Sequence, residues 1–154
     1  MERSLREQAA TAATWTGTLV ELAEKRSRVV LLVGGGRLAG TVEAVGPDFC
    51  VLVLAGGRPV LVNLARIAAV VTEAPRGKSP VSGSRLPSLE LSLVAALSVL
   101  AEERAPVQIA VGDGHHVSGD LVGVGEDVIT LRSHGTQPEA ALVPLANVEY
   151  CELR

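Results

Sequence analysis

Three histidines are the side chains of this chain best suited to metal or acid–base chemistry. His115 and His116 follow closely on Asp113, and His134 comes later, in a loop that offers it no evident partner. Imidazole and carboxylate groups bind zinc when several of them converge on one point. Adjacent residues of a strand point to opposite faces, so His115 and His116 cannot both reach one ion. We therefore interpret this segment as an exposed turn and predict no metal site.

The glycine run 34–36 and the two cysteines are the other candidates for chemistry. The run joins two predicted strands and does not open a helix, so it lacks the helix N-terminus that attracts a phosphate. Cys50 and Cys151 both lie in apolar stretches, which predicts buried free thiols. No Ser/His/Asp or Cys/His arrangement is recognisable. We predict no catalytic residue, no cofactor and no enzyme, with a small-molecule enzyme kept as a formal alternative.

Composition predicts a packed, soluble protein. The chain has 154 residues, of which 47% are hydrophobic and only 2% aromatic, so Val, Leu and Ile must fill the core. The N-terminus lacks the apolar segment of a signal peptide, and the longest apolar stretch, 91–101, is too short to span a membrane. We expect a cytoplasmic location.

The charge balance argues against nucleic acid as the main ligand. Lys and Arg number 14 against 17 Asp and Glu, for a net charge of −3, whereas nucleic-acid binders usually carry a basic excess. The first half nevertheless holds a set of arginines that are candidates for RNA binding: Arg28, Arg37, Arg58 and Arg66. The second half is more acidic. RNA binding is therefore predicted, if at all, on one face of the first half.

The chain repeats itself. Three stretches match at offsets that grow from 78 to 81, namely 19–26 over 97–104, 30–52 over 109–131, and 62–67 over 143–148. The middle stretch places Val30 over Ile109. A register sustained over about fifty positions, with only three inserted residues, indicates a tandem duplication.

Each copy is predicted to contain one helix followed by five short strands, which makes the chain mainly β. Helices are expected over 3–26 and 88–104, with Ser88 as the N-cap of the second. The composition divides the chain into a first unit, a linker rich in Pro, Gly, Ser and charge, and a second unit: 1–71, 72–87 and 88–154.

Three pairs of residues recur at bends and turns, and we assign all six structural roles: Gly40 and Gly119, Gly46 and Gly125, Asp48 and Asp127. The first pair lies mid-strand, where a glycine permits the sharp bend that a small barrel needs. The second pair is predicted at the first central position of type II′ turns. The aspartates are expected to bond turn amides.

The pattern Gly-x-x-Leu-x-Gly-x-Val-x-x-Val over 35–45 resembles the first half of the Sm motif. The order of a helix and five strands also resembles Sm-like proteins and the bacterial RNA chaperone Hfq. The chain is further similar to a group of uncharacterised actinobacterial proteins with an Arg-x-x-Val…Gly…Gly…Val-Gly-x-Asp segment after a helix. The resemblance implies tandem Sm-like (SH3-like) five-stranded barrels, each preceded by an N-terminal helix.

The resemblance does not extend to the RNA pocket. Aligned from Gly40, the Sm aspartate falls on Gly46 and the RNA-contacting asparagine on Cys50. The turn that should carry an Arg-Gly pair holds residues 63–64, Asn-Leu, and the second copy departs in the same way. The Lys-His pair of Hfq is missing from both copies. The family's fold is implied, and its RNA site is not.

We therefore expect a non-enzymatic assembly or adaptor module that acts through protein–protein contacts. The resemblance implies edges at strands four and five, through which Sm-like proteins join into rings. A tandem chain would either pair its own two barrels or supply two ring positions. The expected partner is another protein or a second copy, with no membrane involved. The alternative is a divergent Hfq-like regulatory protein that binds RNA with the basic face of the first barrel.

Overall fold

The computed structural model describes residues 14–73, 88–137 and 139–154. Over these ranges the protein is mainly β, with two helices and one antiparallel sheet of ten strands. The elements are α1 (Trp15–Glu24), β1 (Arg28–Val33), β2 (Gly36–Val45), β3 (Phe49–Leu54), β4 (Pro59–Asn63), β5 (Ile67–Thr72), α2 (Leu93–Glu102), β6 (Pro106–Gly112), β7 (His115–Val124), β8 (Val128–Arg132), β9 (Ala140–Pro144) and β10 (Tyr150–Leu153). One-turn 3₁₀ helices, η1 (Leu64–Arg66) and η2 (Leu145–Asn147), precede β5 and β10.

The sheet contains the same strand order twice. Its order is β5-β1-β2-β3-β4-β10-β6-β7-β8-β9, so each set of five runs fifth, first, second, third, fourth. We call α1 with β1–β5 the first unit and α2 with β6–β10 the second unit. The units join where β4 pairs antiparallel with β10, a junction that we call the seam. The strands at the two ends of the sheet, β5 and β9, are the open edges.

Each unit has its own hydrophobic core beneath its own helix. Leu19 and Ala23 of α1 pack with the strands of the first unit. Leu93 and Leu97 of α2 pack with those of the second unit, whose core also takes in Phe49 and Leu61 from the first unit. Alternation along the strands produces this burial, since every second side chain of a strand faces the same side. The second core therefore extends across the seam.

The two mid-strand glycines occupy equivalent positions and meet the neighbouring strand closely. A Cβ on Gly40 would overlap the carbonyl oxygen of Val53, and one on Gly119 would lie 2.6 Å from the carbonyl oxygen of Arg132. Any larger residue would push these backbones apart. Glycine is therefore required at both places by close approach of two strands.

The repeat register needs one correction. The sequence repeat placed Val30 over Ile109, but the buried residue equivalent to Ile109 is Leu31. Both Leu31 and Ile109 lie opposite the centre of the fifth strand of their unit. The extra residue that changes the offset belongs to an irregularity of β6 between Ala110 and Gly112. A bulge accommodates one residue without disturbing the pairing on either side.

The second helix begins later than predicted. Its first residue is Leu93 and its N-cap is Ser92, whose hydroxyl accepts the N–H of Ala95. Ser88 instead forms a parallel bridge with Val45, so it lies beside the end of β2, and the chain bends at Glu90 before the helix begins. The first helix ends at Glu24, two residues before the predicted end, and its predicted part 3–13 lies outside the described residues. The predicted linker begins at Thr72, the last residue of β5, and its part 74–87 also lies outside them.

The turns after β2 and β7 differ from the prediction. The N–H of Gly46 donates to the carbonyl of Phe49, so the central residues are Pro47 and Asp48, and Gly46 does not adopt a positive φ. Proline at the first central position fixes a negative φ, which a type II′ turn cannot use. Gly125 makes the matching bond to Val128.

Close packing explains the glycine at 46. A Cβ there would lie 2.6 Å from the ring of Phe49 and 2.7 Å from the carbonyl oxygen of Leu91. Asp48 also has a role that the sequence did not reveal, because its carboxylate accepts the N–H of Leu93 and not a turn amide. This bond fixes the start of the second helix to the first unit. Asp127, its counterpart, accepts through its backbone carbonyl from Leu145.

Candidate functional site

The seam is a short antiparallel ladder with apolar side chains buried inside it. Cys151 lies opposite Leu61, with Tyr150 opposite Val62 on one side and Glu152 opposite Val60 on the other. Leu61 is only 7% exposed, and Cys151 is fully buried. The seam is therefore built like the interior of the sheet.

Asn63 fastens the end of the seam through both its backbone and its side chain. Its N–H donates to the carbonyl of Glu149 over 3.0 Å, and its Nδ2 donates to the carbonyl of Val148 over 2.9 Å. Its Oδ1 accepts the N–H of Ala65 and so caps η1. One residue thus supplies two hydrogen bonds between the units and holds the turn that follows it.

Glu149 is the polar side chain that the described part of the chain buries, with 4% exposure. Its Oε2 has no hydrogen-bond partner among the described residues. The carboxylate lies against Gly34 of the β1–β2 turn, whose φ is +58°, and a Cβ on Gly34 would overlap it. A glycine is therefore needed at position 34 for two reasons, its left-handed backbone and the space taken by Glu149.

The open edges expose apolar side chains, and the seam buries the counterpart of one of them. Leu142 on β9 is 69% exposed, while Leu61, 81 positions earlier, is 7% exposed. On β5, Val71 is 47% exposed. An unpaired strand also presents free N–H and C=O groups, which are a template for further pairing. The two edges are therefore the surfaces of the described chain best suited to bind another strand.

The four candidate RNA-binding arginines are spread over the first unit. The register of β1 with β2 puts Arg28 opposite Thr41 and Arg37 opposite Leu32, toward opposite ends of that ladder. Arg28 lies 3.8 Å from a Glu73 oxygen, and both side chains are exposed. Arg66 is exposed in η1.

The fourth of these arginines, Arg58, belongs to the seam. Its guanidinium lies 2.6 Å from the Glu152 carboxylate of the second unit. An exposed ion pair of this kind contributes about 0.2–1 kcal/mol, so it adds to the seam without dominating it. Two of the four candidate cations are thus beside carboxylates.

Two of the three histidines have hydrogen-bond partners within the fold. His116 bonds the carbonyl of Gly114 through one ring nitrogen and the Tyr150 hydroxyl through the other, each at 3.1 Å. His134, for which the sequence offered no partner, lies 2.8 Å from Asp120. Across the described ranges no three His, Cys, Asp or Glu residues are grouped so as to hold a metal ion.

The two thiols are buried and free. Burial raises the pKa of Cys50 to about 12, and burial with the nearby Glu152 charge raises the pKa of Cys151 to about 12. Since the thiolate is the reactive form, both are inert at neutral pH in the folded protein. Their role is packing.

Sequence reasoning missed Asn63, Glu149 and Gly34 as seam residues. A signal was present in the repeat, because each differs from its counterpart in the other copy, which is Pro144, Ala68 or Asp113. Positions that break an otherwise regular repeat are those where the two units face different surroundings.

No protein-family model, curated protein or solved structure matches the chain. Within the described ranges, no helix has the length and apolar character needed to cross a bilayer.

Proposed function

We propose that this chain is a non-enzymatic assembly module that binds proteins by adding strands to its open edges, β5 and β9. The observation that carries the proposal is the seam. There a fourth strand pairs with a fifth strand, whereas among the described residues the fifth strand β5 and the fourth strand β9 each have a partner strand on one side only. Strand addition at an edge uses main-chain hydrogen bonds for affinity and side-chain pockets for specificity.

The exposed apolar residues of the edges support this proposal. Val71 and Leu142 each offer apolar surface to a strand added beside them, in the way that β10 covers Leu61. Burying such a side chain stabilises a complex by about 1.5–3 kcal/mol before the cost of association. Solvent exposure of both residues in the isolated chain leaves that stabilisation available to a partner.

A duplicated Sm-like unit is the fold that we propose for this module. In favour are a helix ahead of each unit, the strand order five-one-two-three-four in both, and the close-packed glycines Gly40 and Gly119. The RNA-binding alternative has less support, since Arg58 is committed to the seam and Arg28 lies beside Glu73. Protein contact at the edges is therefore the function that the geometry favours.

The test places a charge on each edge and compares it with the same charge elsewhere. Val71→Lys and Leu142→Lys put lysines on the open edges, and Val99→Lys puts one on α2, where Val99 is also 50% exposed. Lysine on an edge strand opposes pairing. Every chain that co-purifies with the tagged protein, including further copies of itself, is quantified by mass spectrometry after matched thermal melts.

We expect each edge variant to lose about tenfold or more of its bound partner, and Val99→Lys to retain it. Equal retention by all three variants would refute binding at the edges. Equal loss in all three, including the helix control, would show that general surface hydrophobicity is responsible and would also refute it.

A further inference from the structure

The open edges are the repeat counterparts of the two strands that form the seam. Residue by residue, Leu142 of β9 corresponds to Leu61 of β4, and Val70 of β5 corresponds to Cys151 of β10. The backbone supports the same equivalence, because Val70 and Cys151 face matching residues of the first strand of each unit. The two halves of a seam are thus present at opposite ends of one sheet, and neither has a partner strand on its outer side within the described ranges.

At the open edges, the counterpart of Glu149 is smaller than Glu149, and the counterpart of Gly34 is larger than Gly34. The seam sets the long side chain of Glu149 against a turn residue without a side chain. At the open edges the equivalents are Ala68, which is small and exposed, and Asp113, which has a side chain and a φ of +51° like that of Gly34. A small residue would then meet a larger one, so the pair remains compatible with a second seam.

From these two observations we infer that a second copy of this chain occupies the open edges, with β9 of one copy pairing with β5 of the next. The inference rests on the proposed function, that the edges bind proteins. The seam fixes the register: Val70 lies opposite Leu142, with Ala69 opposite Val143 and Val71 opposite Ala141.

Of the two fifth strands, β5 is the one with a free side among the described residues, because β10 is already paired with β4 on one side and with β6 on the other. Strand β5 carries Ala68 at the position of Glu149, and this small side chain leaves room for that of Asp113. The assembly is therefore head-to-tail, and such heterologous contacts close into a ring or continue as a filament.

The decisive test reproduces the seam pair at the new interface. Ala68→Glu puts a long carboxylate opposite Asp113, and adding Asp113→Gly rebuilds the Glu–Gly arrangement of the seam. Both positions are exposed in the chain, and glycine suits the positive φ at 113, so folding is not at risk. Sedimentation velocity of the purified full chain at several concentrations measures the association constant.

We expect the original chain to associate, Ala68→Glu to weaken association by about tenfold or more, and the double variant to recover it. Asp113→Gly alone should associate like the original. Failure of Ala68→Glu to weaken association, or failure of Asp113→Gly to rescue it, would overturn the inference.

Disulfide trapping tests the register separately. A chain with Val70→Cys and Leu142→Cys should form covalent oligomers on mild oxidation, because directly opposed strand residues lie within disulfide distance. The matched control combines Val70→Cys with Ala140→Cys, two positions along the same strand. Equal cross-linking of both pairs would contradict the register.

The two proposals fail in different ways. A chain that stays monomeric at every concentration overturns the inference of a second copy, yet the proposed function stands if Val71→Lys and Leu142→Lys still lose a different protein. Self-association that persists in Leu142→Lys, which puts a charge at the position where the seam buries Leu61, overturns this inference and also the proposed use of the edges.

Discussion

The contribution of the seam to stability can be tested by making the same substitution at Leu61 and at Leu142. They are the same residue type at equivalent positions of the repeat, but Leu61 is covered by β10 and Leu142 is 69% exposed. We predict that Leu61→Ala lowers the free energy of unfolding by about 3 kcal/mol, within the 2–5 kcal/mol range of buried leucines. For Leu142→Ala we predict a change within about 0.5 kcal/mol, as is usual for exposed positions.

Urea unfolding followed by circular dichroism measures both variants. With a slope of about 2 kcal/mol per molar urea, the midpoint should fall by about 1.5 M for Leu61→Ala and by less than about 0.25 M for Leu142→Ala. Both variants are made in the Ala68→Glu background and measured at low protein concentration, because we expect this substitution to weaken the contacts between copies that would otherwise stabilise Leu142. Equal shifts in the two variants would refute the reasoning, because the seam would then contribute nothing that the open edge lacks.

Three further outcomes follow from individual contacts. Asn63→Ala removes the side-chain bonds to Val148 and within η1, and should lower the free energy of unfolding by about 2 kcal/mol in the same urea assay. Arg104→Gly should raise the melting temperature, since Arg104 holds a φ of +51° at a helix end and glycine relieves a strain of about 1 kcal/mol. With their pKa raised to about 12, Cys50 and Cys151 should resist a disulfide reagent at pH 8 until urea unfolds the chain.

The sequence predicted features that depend on local pattern. Alternating Val, Leu and Ile indicated the strands, and the spacing of Gly40 and Gly119 indicated a duplication in which both glycines serve the same purpose. These signals are readable because a mid-strand glycine or a run of alternating apolar residues has the same meaning in any surroundings.

Features set by contacts between units were not predictable in this way. Ser88 and Ser92 are equally good N-caps by type, and the choice between them depends on Val45, which pairs with Ser88, and on Asp48, which binds the N–H of Leu93. Glu149 has a residue type that is normally exposed, and it becomes buried only because the first unit provides a glycine beside it. Residue propensities describe single segments, whereas these outcomes depend on contacts between two segments.

Pro144, the counterpart of Asn63, determines how strong a contact between copies can be. Proline has no N–H, and η2 after it has no side-chain cap, so the open edge lacks the two hydrogen bonds that Asn63 supplies across the seam. A junction between copies should therefore be weaker than the seam and reversible, whereas the seam persists within each chain. Pro144→Asn should restore both bonds, because the backbone angles at the two positions are similar.

Each restored bond is worth about 1 kcal/mol, so the association constant of Pro144→Asn should rise about tenfold or more in sedimentation velocity. Pro144→Ala is the matched control, since it returns the backbone N–H without the side-chain amide and should give an intermediate gain. If Pro144→Asn associated no more tightly than the original chain, the missing bonds would not limit the contact between copies. The β9 edge would then not be used in the way that the seam uses β4.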